Sequence, residues 1–132
     1  MKNTCLLFLL FINIFFPSKA ADDYMFKYFD VGSGLSNNSI YAILKDSKGF
    51  LWLATESGLN RYDGYDFSVY RSVEGDSLTL PDNFISDIVE ADDYRFWIKT
   101  SRGYVLYDGK TDRFYRDQQK FMKHIGSKGE IS

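Results

Sequence analysis

From Ser39 to Arg71 short apolar runs alternate with clusters of turn-forming residues, at intervals too close for helices. "SIYAILK" (Ser39–Lys45) alternates in hydrophobicity and stops at "DSKG" (Asp46–Gly49). "FLWLAT" (Phe50–Thr55) is continuously apolar up to Ala54, the pattern of a strand covered on both faces. "ESG" (Glu56–Gly58) turns the chain into "LNRY" (Leu59–Tyr62). "DG" (Asp63-Gly64) then predicts a tight hairpin, since type I′ turns need positive φ, and "DFSVYR" (Asp66–Arg71) supplies a fourth strand. No part of this stretch carries a 3.6-residue apolar stripe.

The same pattern returns 45 residues later. Leu35–Arg71 lies over Leu80–Arg116 without a gap, with 12 of 37 positions identical. The identities include Trp52/Trp97, Thr55/Thr100, Gly58/Gly103, Tyr62/Tyr107, Asp63/Asp108 and Tyr70/Tyr115. Four antiparallel strands per copy, with Trp and Gly at fixed places, predict an all-β chain of β-propeller blades. Only about two blades are present, an incomplete propeller. The expected division is blade 1 over residues 35–71, blade 2 over 80–116, and a tail over 117–132 leading into a third blade, where Ile131-Ser132 echoes Ile85-Ser86. Before blade 1, residues 21–34 contain "YMFKYFD" (Tyr24–Asp30), which reads as a fourth strand of the kind that closes a propeller ring. Phe121 and Ile125 in the tail have the spacing of a short helix. Two blades leave one face of each terminal sheet uncovered, so the isolated chain is expected to fold poorly or self-associate.

Residues 1–20 are set apart from the fold. Lys2 precedes a run, Cys5–Phe16, that is apolar apart from Asn13, and Pro17 and Ser18-Lys19-Ala20 follow it. Such a run rises only about 18 Å as a helix, short of a ~30 Å hydrocarbon core, so a signal peptide cleaved after Ala20 is expected rather than a permanent span. No apolar segment precedes Cys5, which excludes a lipoprotein anchor there. Cleavage leaves 112 of the 132 residues, with 14 basic and 18 acidic side chains and no cysteine. A net negative chain without clustered Lys and Arg argues against a nucleic-acid surface, and an exported chain without disulfides depends on its core.

The stretch "LSNNSIYAILKDSKGFLWLATESGLNRYDG" resembles the two-component regulator propeller repeat, roughly L-x-x-N-x-I-x-x-I-x-x-D-x-x-G-x-L-W-I-G-T-x-x-G-L-x-x-Y-D. Leu35, Asn38, Ile40, Ile43, Asp46, Gly49, Leu51, Trp52, Thr55, Gly58, Leu59, Tyr62 and Asp63 match it, while Ala91, Tyr94 and Tyr104 depart from it in the second copy. Such repeats directly after a signal peptide resemble the hybrid two-component sensors of glycan-degrading gut bacteria. The resemblance implies a periplasmic propeller, in a parent held in the inner membrane, that binds an oligosaccharide and regulates glycan-utilisation genes. The kinase, receiver and DNA-binding parts have no counterpart in this sequence. Partners implied are the missing blades of a parent chain or further copies of this one, with no nucleic acid for this segment and membrane contact only through the signal peptide or downstream parts.

Candidate chemistry is sparse. Trp52, Trp97, Gly58, Gly103, Tyr62, Tyr107, Asp63 and Asp108 are fixed by the repeat and read as structural. Glycoside hydrolysis needs two carboxylates about 5–10 Å apart, but Asp46, Asp63, Asp92, Asp93 and Asp108 all fall on turns where Asp bonds locally, so no catalytic residue is assigned. With His124 the only histidine, no metal site and no cofactor are expected. "GSG" (Gly32–Gly34) matches no phosphate-binding fingerprint. A ligand site is expected where the copies differ, on rim loops: Ser72–Asn83, Glu56-Ser57 and Ser101-Arg102, with Glu56 and Arg102 as candidates for sugar hydroxyls or an acidic sugar. Two other readings stand beside the sensor: a small secreted protein-interaction module of two blades, and a hydrolase or lyase built on a propeller.

Overall fold

The computed structural model describes residues 25–92, 94–117 and 119. The expected signal peptide, Tyr24, Asp93, Phe121, His124, Ile125 and Ile131 lie outside them. The described chain is all-β. One four-stranded antiparallel sheet holds β1 (Ile40–Lys45), β2 (Leu51–Thr55), β3 (Gly58–Tyr62) and β4 (Phe67–Tyr70) in sequence order. The second holds β5 (Ile85–Asp92), β6 (Arg95–Thr100), β7 (Gly103–Asp108) and β8 (Arg113–Tyr115), again in order. Each sheet coincides with one copy of the repeat.

Because side chains alternate across a strand, each sheet has two distinct faces. On the first, Trp52, Ala54 and Leu59 share one face and Leu53 and Tyr62 the other. The first of these faces packs on Ile88, Phe96, Ile98, Val105, Tyr107 and Phe114 of the second sheet, which makes the largest core. The Trp52 ring lies 4.9 Å from Phe96 and 5.2 Å from Tyr107. The contact is head to tail: the tryptophan face of one blade meets the isoleucine–tyrosine face of the next. Trp97 occupies the same repeat position as Trp52 but is only half-buried, against Leu106 and Tyr115, because no sheet lies behind it among the described residues. Val89 and Tyr104 on that face are each 53% exposed.

The outer hairpins depart from the type I′ expectation. β3–β4 pairs Tyr62 with Phe67, leaving the loop Asp63–Asp66. Only Gly64 there has positive φ, and the Asp63 carboxylate accepts the Tyr65 and Asp66 N–H groups, both at 2.8 Å. These side-chain bonds favour a wider loop over the two-residue turn. In the second copy Asp108 pairs with Arg113, so the loop is Gly109–Asp112 and its left-handed residue is Asp112, φ 55°. The loop has slid by one residue although the sequence repeat has no gap. Cross-strand partners then change by two, which keeps every side chain on its own face. The slide also gives Asp112 a role: its carboxylate accepts the hydroxyls of Tyr107 at 2.7 Å and Tyr70 at 3.0 Å, linking the two sheets. Burial pushes both tyrosine hydroxyls up, so they remain donors.

The β1–β2 and β5–β6 turns differ for a similar reason. Asp46, nearly buried, accepts the N–H groups of Lys48 and Phe50 and the indole N–H of Trp52, each at 2.9 Å. Ala91 stands at that position in the second copy. There β5 runs on through an irregularity to Asp92, whose carboxylate accepts the Tyr94 and Arg95 N–H groups at 3.1 Å and pairs with the Arg95 guanidinium.

Met25–Asp30 belongs to neither sheet, yet its end is placed like the end of an outer strand. Asn83 Oδ1 accepts the Ser72 N–H at 2.7 Å, and Asn38 Oδ1 accepts the Val31 N–H at 3.0 Å, so each copy fastens its incoming segment through the same asparagine. Two residues upstream of those N–H groups lie Tyr70 and Phe29. Tyr70 packs on Tyr107 and Phe114 at 5.5 and 5.6 Å, and Phe29 on Tyr62 and Phe67 at 4.7 and 5.2 Å. Phe29 thus takes, on blade 1, the place that Tyr70 takes on blade 2. Lys27 reinforces it, its ammonium lying over the Tyr62 ring and donating to the Tyr62 hydroxyl.

Gly58 and Gly103 open β3 and β7 with φ of 134° and 108°. A Cβ at Gly58 would meet the Tyr70 carbonyl oxygen at 2.7 Å, whereas at Gly103 nothing lies within 4 Å. The turn of the first copy therefore requires glycine for space as well as for conformation.

One buried polar group is also copy-specific. Asn60, fully buried, accepts the Ser36 N–H at 2.9 Å and donates to Ser36 Oγ at 2.8 Å. At the same two repeat positions the second copy has Val105 and Pro81. Proline lacks the N–H that the asparagine serves, so both partners change together and no donor is orphaned. Asn60→Val alone should cost about 1–3 kcal/mol in urea unfolding, and Ser36→Pro alone a similar amount. The double variant should recover most of that loss; losses that simply add would show that the two positions are independent.

Candidate ligand-binding rim

The starts of β1 and β5 lie opposite the β2–β3 and β6–β7 turns, at one end of both sheets. The connection from β4 to β5, residues 71–84, crosses the same end. It is shaped by local polar contacts: Asp76 Oδ1 accepts the Leu78 N–H at 2.8 Å and Thr79 Oγ1 accepts the Val73 N–H at 3.1 Å. Arg116 reaches it from the end of β8 and donates to the carbonyls of Thr79, Asp76 and Leu80 at 3.1, 3.0 and 2.9 Å. Its guanidinium is spent on holding the loop.

Beside this loop is an open, polar groove of ≈ 500 Å³, walled by Ser72–Gly75, Pro81–Asn83, Arg102 and Arg116. Arg102, one of the two sequence candidates, lies in it. Its Nε sits 3.6 Å from Asp82 Oδ2, and its side chain is 73% exposed, so it is loosely held and open to solvent. Glu56, the other candidate, is exposed on the β2–β3 turn and does not line this groove. Asp82 escaped notice in the sequence, although a signal was there: 37/82 and 57/102 are matched positions of the repeat. In blade 1 they carry Asn37 and Ser57, joined by a 3.0 Å hydrogen bond. In blade 2 they carry Asp82 and Arg102. The same contact has become charged.

Asp82 is fixed mainly by its backbone neighbour: Oδ1 accepts the Phe84 N–H at 2.8 Å. That bond, with the Ser101 side chain and the Arg102 charge, holds its carboxyl below the ordinary range. At neutral pH the groove therefore presents a carboxylate and a guanidinium side by side, with the Asn83 amide adjacent. Planar groups of this kind form paired hydrogen bonds to vicinal hydroxyls or to a carboxylate. Among the described residues no group of three or more His, Cys, Asp or Glu side chains is placed to hold a metal ion. Asp63, Asp92 and Asp108 each accept backbone N–H groups within their own turns.

Residues 34–57 match the family described as two component regulator propeller. The chain is 40% identical over 58 residues to a histidine kinase, P4, of Formosa agariphila, a match that takes in 44% of this chain and 4% of that protein. In structure it is similar to the extracellular domain of a putative hybrid two-component system from B. thetaiotaomicron. The TM-score is 0.60 at 33% sequence identity, over 67% of this chain and 12% of that one. The chain thus spans a small fraction of the length of either relative.

The hold on Asp82 has a measurable consequence. An NMR titration should give its carboxyl a midpoint below the ordinary ~3.9. Because the folded-state pKa is lowered, the link is complete above the unfolded value and is lost as pH falls through the folded one. A midpoint at or above that of a free aspartate would mean that the Phe84 N–H does not hold the carboxylate.

Proposed function

We propose that this chain of two-component regulator propeller repeats is part of the ligand-sensing, extracytoplasmic propeller of a hybrid two-component sensor, and that the signal it detects is a saccharide. The observation that carries the sensor reading is the agreement, in fold and sequence together, with the extracellular domain of a hybrid two-component system. The packing agrees with a larger propeller. Trp97, Leu106 and Tyr115 repeat on blade 2 the tryptophan face by which blade 1 packs, so the surface is suited to another blade of the same kind. Phe29, seated as Tyr70 is, suits a segment that continues the outer edge of a blade before the first, the role assigned above to residues 21–34. Residues 1–20 would then direct export, and the rim would face the periplasm.

The saccharide reading has a different support. Asp82, Arg102 and Asn83 offer the donors and acceptors that hydroxylated rings require, in a solvent-open groove large enough for a sugar unit. On this reading the chain contributes binding and no chemistry, and its output is a change in transcription of genes for glycan use, made by parts outside it.

The test is genetic. The two blades, residues 35–116, are deleted in frame from the chromosomal gene, and transcripts are compared after cells are shifted from glucose to mixed polysaccharides. The deletion should abolish induction of at least one set of glycan-degradation genes while growth on glucose is unchanged. Induction of every such set to the parental level would overturn the reading.

A further inference from the structure

At the mouth of the junction between the blades two aromatic rings stand where the fold does not ask for them. Tyr41, 50% exposed, falls at the irregularity where the β1–β2 register shifts between Ile40 and Ala42. Phe84 immediately precedes β5. The two ring centroids are 4.9 Å apart, tilted by 57°. Neither position is aromatic in the other copy: Ser86 corresponds to Tyr41, and Ser39 to Phe84. Neither ring belongs to, or packs against, the buried clusters of the two sheets. Core packing therefore does not account for them. The same register shift recurs between Ile85 and Asp87, so it belongs to the framework, and the copies differ there in the side chain alone.

Phe84 is rigidly placed. Its N–H is bound by Asp82 Oδ1 at 2.8 Å, and its carbonyl accepts the Ser101 N–H at 3.3 Å. The residues that hold the Phe84 backbone are thus Asp82 itself and the neighbour of Arg102. The aromatic pair therefore lies beside the carboxylate–guanidinium pair, although neither ring lines the rim groove itself.

We infer that Tyr41 and Phe84 are a stacking platform for one sugar ring, whose hydroxyls are taken by the adjacent Asp82 and Arg102. The apolar C–H face of a pyranose suits the aromatic faces, and the planar polar pair suits its hydroxyl edge. The inference rests on the saccharide reading above and assigns it a site.

The two copies supply their own controls. Tyr41→Ser, Phe84→Ser and Arg102→Ser each introduce the residue that the other blade carries at that position, so the fold is expected to accept them. Calorimetric titration of the whole extracytoplasmic propeller that carries these two blades, with cello-, xylo-, manno- and galacturono-oligosaccharides, should find binding by the unaltered protein. Each of the three variants should weaken it by about tenfold or more, with circular dichroism unchanged, while Tyr41→Phe should stay within about threefold. Equal binding by the Tyr41→Ser and Phe84→Ser variants would overturn the platform and leave the saccharide reading standing. A Tyr41→Phe variant as weak as Tyr41→Ser would also overturn it, since the ring would not be the operative group. Loss of fold in the serine variants would count against it too, by showing that the rings are structural. No binding of any of these sugars by the unaltered protein would overturn both the saccharide reading and the platform.

Discussion

The structure depends on one contact, the seating of Trp52 from the first sheet among Phe96, Tyr107 and Phe114 of the second. Neither sheet can bury both of its faces alone, and a single four-stranded sheet of this length has little core of its own. The Trp52 face resolves this for one side of each blade. Its position is fixed from two directions: Asp46 holds the indole N–H from the β1–β2 turn, and Tyr70 stacks on the ring from β4. The Tyr70–Asp112–Tyr107 bridge then ties β4 of the first sheet to the β7–β8 hairpin of the second across the same junction. Because the contact joins unlike faces, it can be repeated indefinitely in one direction, which is the geometry from which rings are made.

That logic was legible in the sequence because it is periodic. The strands, the pairing of Trp52 with Trp97, and the turns at Gly58 and Gly103 all follow from a pattern that the chain states twice. What the sequence concealed is register. An ungapped repeat suggests identical hairpins, yet the loop of the second copy has slid by one residue. The cause is a competition between local bonds: Asp63 gathers the N–H groups of its own loop, while Asp112 is drawn to two tyrosine hydroxyls, one of them in the other blade. No single-copy pattern contains that second partner. The two tryptophans share a repeat position but not an environment, since burial of Trp97 depends on a neighbouring sheet rather than on its own strand.

The rim was partly legible. Arg102 could be singled out because the copies differ there, and the structure places it in the groove. Glu56 satisfied the same criterion and lies elsewhere, which shows that divergence between copies marks freedom from the framework and does not by itself mark convergence on a site. Asp82 was hidden because it looks like an ordinary turn residue, and it does serve the turn through the Phe84 N–H. Tyr41 and Phe84 were hidden because aromatic residues at strand starts read as core. The exchange for serine in the other copy and the exposure of the Tyr41 ring separate them from it.

The paired substitutions explain how one framework accommodates such differences. Ser36 with Asn60 becomes Pro81 with Val105, and Asn37 with Ser57 becomes Asp82 with Arg102. In each case a contact between two repeat positions is kept while its chemistry changes from one complementary pair to another. In the first the change is from buried polar to apolar, and it is neutral for folding only if both members move, since an orphaned buried N–H costs more than the bond contributed. In the second it is from neutral to charged at an exposed rim, where the fold is indifferent to the choice. The two exchanges thus differ in what constrains them: the buried pair must change as a unit to leave no donor orphaned, and the rim pair, open to solvent, is free of that demand.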